Sequence, residues 1–373
     1  MMQVYKRYFN HKTILNNFYL KYHKYKMNIT INTFTSFRLI ITLFTIITLN
    51  SCERSKKDTE LFFIQGNTAY KKGNLEEAIK FYTEAIEKSP EFADAYNNRG
   101  TVKQDLNDLE GAISDFEKAV SIDDEFVLAK YNLAEAYSNT DKLNESLSLL
   151  KQISNKYKDS SFYYVTLSNV YIRKNNFADA NLNLINAIKL KSDNDKAFTN
   201  LGYINYVEKN LVEAKANFEK AIEINPKQDF ALNNLSLIFA QEKDFKNALA
   251  TVEKAILINK NPIYENNKGY YLLNLNQIEE GKQIIDKILE KNKSNAWALR
   301  NLGIYYLKTT NLTYALENLL KSEKLDPSVE LINYYLGLTQ QSLGNKSEAC
   351  KYWKIGEQLN EKQSIEMLRK VCK

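Results

Sequence analysis

Histidine is almost missing from this chain. Its two copies, His11 and His23, lie within the first 23 residues, and nothing after them carries an imidazole. Histidine is the usual general base and the commonest nitrogen ligand for zinc. Its absence excludes Ser-His-Asp, Cys-His and His-metal arrangements from residues 52 to 373. Phosphate-cradling turns are absent as well: neither Gly-x-x-x-x-Gly-Lys nor Gly-x-Gly-x-x-Gly occurs. Carboxylate pairs remain, but acids are plentiful on any soluble helical surface. The expectation is a protein without catalysis, cofactor or metal. Acids are missing from the opening segment: residues 1–51 hold seven Lys and Arg and no Asp or Glu. Take those seven from the 51 basic residues and 44 face 45 acids, so the net charge of +6 belongs to the opening segment. A body near −1 has no electrostatic footprint for nucleic acid. With 4 prolines and 11 glycines in 373 residues, the chain reads as helical rather than loop-rich.

What is present is a repeat. Glycines stand at 66, 100, 202, 269, 303 and 337, spaced by multiples of 34 except for one interval a residue short. "GNTAYKKGNLEEAIKFYTEAIEKSP" from Gly66 and "LGYINYVEKNLVEAKANFEKAIEINP" from Leu201 share Gly, then a small residue, an aromatic, Ala and Pro at matched offsets. These residues resemble the tetratricopeptide repeat, W-x2-L-G-x2-Y followed by A-x3-F, A and P. Nine repeats are expected, beginning near Thr59, Ala93, Val127, Ser161, Asp195, Asp229, Pro262, Ala296 and Glu330. Position 8 of each is Gly, Ala or Ser, and so is position 20, as two closely crossing helices require. Large apolar residues at positions 7, 11 and 24, such as Leu133, Tyr137, Leu201 and Phe218, fill the space around the crossings. Turns such as "KKGN", "RKNN" and "LGNK" supply Gly and Asn, and Pro90, Pro226 and Pro327 end second helices. The resemblance implies an all-α, right-handed solenoid of helix-turn-helix repeats over residues 59–363, closed by a capping helix at 361–373.

The opening stretch "FRLIITLFTIITLNSCERSKK" poses a separate question. Leu39 to Leu49 would make roughly 16 Å of helix, about half a bilayer core, so it does not span alone. Its length suits a secretory signal. "LNSC", Leu49 to Cys52, resembles the lipobox of bacterial lipoproteins, with Cys52 the lipidated residue. Asn50 departs from the small or aliphatic residue commoner there. On this reading residues 1–51 are a leader, whose translation starts at Met27, and 52–58 are a polar tether. The protein is then anchored in the bacterial envelope, at the outer membrane facing the periplasm. Cys350 and Cys372 lie equidistant from a turn near Glu361, which places them opposite one another in a helix pair. A disulfide, which suits an oxidising compartment, and two small core residues are both open readings.

Such a solenoid exposes a concave groove lined, by resemblance, by positions 2, 5, 6, 9, 12 and 13 of each first helix. Position 6 is asparagine in six repeats: Asn98, Asn132, Asn200, Asn234, Asn267 and Asn301. With 44 asparagines in 373 residues, about one in nine is expected by chance, so the pattern carries information. A ladder of carboxamides could pair with the backbone of an extended peptide, and it resembles that of the O-linked N-acetylglucosamine transferases. The other reading is bonding within the solenoid. Tyr203, Tyr206, Tyr270 and Trp297 are the candidate aromatic anchors, while Phe230 fits core packing better. The carboxylate clamp of chaperone adaptors is poorly matched, because Phe63 and Leu128 stand where basic residues belong. The expected partner is a protein or extended peptide, with a glycan stacked on the groove aromatics as the alternative.

Overall fold

The structure, a computed structural model, describes residues 21, 23, 24, 26, 27 and 56–372. The leader's apolar core and Cys52 lie outside the described residues. No helix among those described is long and apolar enough to cross a membrane.

Helices follow one another with turns of a few residues between them. They are α1 (56–71), α2 (Leu75–Lys88), α3 (Ala93–Asp105), α4 (Leu109–Ile122), α5 (Val127–Ser138) and α6 (Leu143–Tyr157). Next come α7 (Ser161–Arg173), α8 (Phe177–Leu190), α9 (Asp195–Val207), α10 (Leu211–Ile224), α11 (Asp229–Gln241) and α12 (Phe245–Ile258). The series ends with α13 (Pro262–Asn274), α14 (Ile278–Lys291), α15 (Ala296–Lys308), α16 (Leu312–Leu325), α17 (Ile332–Ser342), α18 (Lys346–Gln358) and α19 (Lys362–Val371). They gather in two compact units, Met1–Ser154 and Asn155–Lys373. In the first, α3 folds back on α4 and also touches α5. In the second, each odd-numbered helix from α7 to α17 pairs with the next helix and also touches the next odd-numbered one. Among the described residues of that unit no two even-numbered helices meet. The odd helices therefore pack along one face, and the even ones are spread apart behind them. This is the layering of an all-α solenoid.

Small residues let the pairs close. A β-carbon on Gly66, Gly100 or Gly202 would fall within 2.7 Å of the ring of Tyr82, Phe116 or Phe218. The facing position 20 is equally tight: Ala78, Ala112, Ser146, Ala180, Ala214, Ala248, Ala315 and Ala349 are all fully buried. Where position 8 carries a side chain, the residue opposite shrinks. Ala134, Ser168 and Ser236 share their pairs with Leu150, Leu184 and Val252, while Gly337 lies under the buried Trp353.

One turn position repeatedly adopts left-handed backbone. It holds Gly73, Asn107, Asn175, Asn276 and Gly344, as the turn chemistry predicts. It also holds Lys209, Lys243 and Thr310, which the Gly/Asn rule does not anticipate. The short fixed reach between paired helices overrides residue preference there. A second departure is α17. Its register predicts a start at Glu330, but the helix begins two residues later, behind Leu331 at φ 62°. The hydrogen bond that would join residues 330 and 334 is replaced. The Glu330 carbonyl accepts from Arg300 (2.8 Å), and the Tyr334 amide donates to the Glu361 carboxylate (3.1 Å). The Glu361 carboxylate also accepts a hydrogen bond from the Ser364 hydroxyl at the start of α19. That helix packs on both α17 and α18, and Cys350 and Cys372 are bonded to one another across the pair, with Cα atoms 5.8 Å apart.

Candidate functional site

The position-6 asparagines do not form a free ladder. Asn98 donates to Asn67 (2.9 Å), Asn132 to Asn97 (2.8 Å) and Asn200 to Asn169 (2.6 Å). Asn267 donates to Asn233 (2.9 Å) and Asn301 to Asn266 (3.0 Å). Each of these acceptors sits at position 5 or 9 of the preceding first helix. Asn234 turns instead to the Phe230 carbonyl of its own helix (2.7 Å). Asn234, Asn267 and Asn301 are buried, and Asn98, Asn132 and Asn200 are half-buried. At Asn234, Asn267 and Asn301 the side-chain amide is engaged within the solenoid, the other of the two readings, although Asn267 also lines the cleft described below. First helices pack so closely that a short carboxamide reaches its neighbour before it reaches solvent, and a buried amide must find a partner.

The aromatic candidates divide. Phe230, expected in the core, is 41% exposed, its ring 6.2 Å from that of Tyr203. Tyr203 and Tyr206 pack against the core of α9 to α11. The Tyr206 hydroxyl accepts a hydrogen bond from Gln241 (2.8 Å), and burial raises its pKa far above the ordinary tyrosine value. Neither lines the cleft described next. Tyr270 and Trp297 do.

That opening is a cleft of about 190 Å³ in the second unit, set between α11, α13, α15, α17 and α19. Its residues fall at the expected groove positions. Gln241 and Asn274 come from position 13, Asn267 from position 6, Tyr270 from position 9 and Trp297 from position 2. Tyr334 and Tyr335 add a wall from α17, and Gln363 and Glu366 close it from α19. Contacts between residues far apart in sequence shape it. The hydroxyls of Tyr270 and Tyr335 lie 3.2 Å apart, and Gln241 donates to Glu330 at 3.4 Å. Arg300, 3% exposed, lies beneath. Its guanidinium carbon is 4.6 Å from the Tyr270 ring centre and 5.2 Å from that of Trp297, and it holds the Glu330 carbonyl already described. Burial raises the pKa of Tyr335 well above the ordinary value, with Arg300 pulling the other way.

Sequence reasoning found two aromatics of this cleft and missed Arg300, Tyr334 and Tyr335. The missing signal was composition: the chain has seven arginines against 44 lysines, so an arginine at a groove position stands out. A cleft lined by rings and a few fixed polar groups can hold one large side chain or the end of an extended segment.

Profiles of the repeat match this chain at four stretches: TPR repeat at 66–106, and tetratricopeptide repeat at 104–167, 165–229 and 231–262. The chain belongs to the tetratricopeptide repeat family. Its architecture is that of a protein–protein interaction scaffold. Over 86 residues it is 40% identical to DnaJ homolog subfamily C member 7 of Mus musculus, a match over 22% of this chain and 17% of that protein. The crystal structure of the APC/C hetero-tetramer Cut9-Hcn1 is similar over 84% of this chain and 76% of the solved one, with TM-score 0.55 and 12% identity. A tetratricopeptide repeat protein from Parabacteroides merdae ATCC 43184 is similar over 76% of this chain and 99% of its own, with TM-score 0.42 and 15% identity.

Proposed function

We propose that this tetratricopeptide repeat chain is a non-enzymatic adaptor of the bacterial envelope, anchored through Cys52, that holds an extended segment of a partner protein against its odd-numbered helices. The observation that carries the binding half is the cleft. Its walls place Tyr270, Trp297 and Tyr334 around an opening on the face where first helices line up. Interfaces concentrate their energy in such aromatic anchors. The anchoring half rests on the signal anatomy that ends at Cys52, and the Cys350–Cys372 bond agrees with an oxidising compartment.

Two measurements test this. In the native host, the full chain should fractionate with membranes and incorporate a labelled fatty acid, and Cys52→Ala should do neither. A photo-crosslinking residue at position 297 should capture a discrete partner that the same residue at Leu257, 87% exposed on α12, does not. Equal capture from both positions would move binding off this face. Retention of soluble oligosaccharide, abolished by Trp297→Ala, would favour the glycan reading.

A further inference from the structure

The cleft holds a cation without a counter-ion. Arg300 forms no ion pair among the described residues, although it is 3% exposed. Nε donates to Asn301 Oδ1 at 3.1 Å and Nη1 to the Glu330 carbonyl at 2.8 Å. Both acceptors are neutral, and among the described residues Nη2 donates to no protein atom. A guanidinium has five N–H donors in a fixed fork, so three remain. The Tyr270 and Trp297 rings offset part of the charge. Removing a charged group from water without an opposite charge is nevertheless costly, and proteins keep such groups paired. Asp115, the buried acid of the first unit, shows the ordinary solution: it pairs with both Arg99 and Lys103 at 2.7 Å.

We infer that Arg300 is the recognition group for a carboxylate carried by the extended segment in the cleft. This rests on the peptide-binding reading above and names what the segment must present. The planar fork suits a carboxylate, and the rings beside it fit an apolar neighbour. The two acids of the lining, Glu330 and Glu366, are solvent-exposed, and exposed Lys243 is its other cation. The two acids oppose a polyanion and leave one carboxylate as the ligand the cleft accepts. The arrangement differs from the chaperone-adaptor clamp, since the other basic side chain lining the cleft, Lys243, comes from the turn after α11 and not from a first helix. A chain terminus and an Asp or Glu side chain supply the same group.

Three pools of acetylated random hexapeptides would separate the cases on immobilised full-length protein, read by mass spectrometry. One has a free C-terminus and no Asp or Glu, one a C-terminal amide and a single internal Glu, and one an amide and no acid. The first or second should be retained at least tenfold better than the third, and which of them wins identifies the source. Arg300→Met should erase the difference. Arg300→Lys, which keeps the charge but loses the fork, should narrow it in a chain of unchanged helicity. Equal retention of all pools, sensitive to Trp297→Ala, would leave peptide binding standing and remove the carboxylate. A preference that survives in folded Arg300→Met would overturn the inference. Retention of no pool would sink the peptide reading along with it.

Discussion

At the residue scale, the structure turns apparent ligand-binding groups into structural ones and the reverse. Asn301 shows the first change. It is fully buried, donates to Asn266 and accepts from Arg300. Replacing it with alanine leaves two buried partners unmet, so Asn301→Ala should cost about 2–4 kcal/mol in chemical denaturation. Exposed Asn107→Ala, at a turn, tests only the left-handed penalty. That penalty has its own test at Thr310, a β-branched residue at φ 59°. The left-handed region costs an ordinary L-residue about 1–2 kcal/mol. Glycine escapes the penalty but gains freedom in the unfolded chain, so Thr310→Gly should stabilise by about 1 kcal/mol. A lower melting temperature in that variant would show that the turn draws its stability from the threonine. None of this was readable from residue type alone: a position-6 asparagine looks the same whether it faces a groove or a neighbouring helix.

At the element scale the reading was far better, because each helix pair restates the same packing rule. Position 8 and position 24 share the space at the crossing, and both are visible in the sequence. Gly202→Ala would place its β-carbon 2.7 Å from the Phe218 ring, against a tight core, and should destabilise by about 1–3 kcal/mol. The compensated pairs Ala134–Leu150 and Ser168–Leu184 predict a rescue. Adding Phe218→Leu to Gly202→Ala should recover part of that loss, a coupling measurable in a double-mutant cycle. Purely additive effects would mean that the two positions do not share the space. The last pair has a further constraint, since the Cys350–Cys372 bond closes a loop of 22 residues. Chain entropy assigns such a loop about 3 kcal/mol. Reduction should therefore speed hydrogen exchange over α19 while α7 to α10 stay unchanged. Here the sequence carried the helices and set Cys350 opposite Cys372, and the structure decides between the two open readings in favour of the bond.

At the scale of the whole molecule, repetition explains what was legible and what was not. Fold class follows from a rule written again in every pair. The cleft does not, because Tyr270 meets Tyr335 across 65 residues and Gln241 meets Glu330 across 89. No single repeat encodes those meetings, nor the shortened α17 that frees a carbonyl for Arg300. What the closure does leave is a titration signature. Tyr271 and Tyr335 are buried, and burial raises both pKa values above the ordinary tyrosine value of about 10. Between the unfolded and the raised folded values, the native chain holds protons that the unfolded chain has released. Stability from these groups is therefore complete below about pH 10 and falls as pH rises beyond it, by about 1.4 kcal/mol per pH unit for each. Phenolate absorbance should accordingly show a late second stage that coincides with loss of helix. Tyr335→Phe removes one such proton and should shift the second stage to higher pH, provided its fold is intact at neutral pH. Complete ionisation of all tyrosines with helicity retained would mean that the cleft is open to water, and that Arg300 needs no partner beyond it.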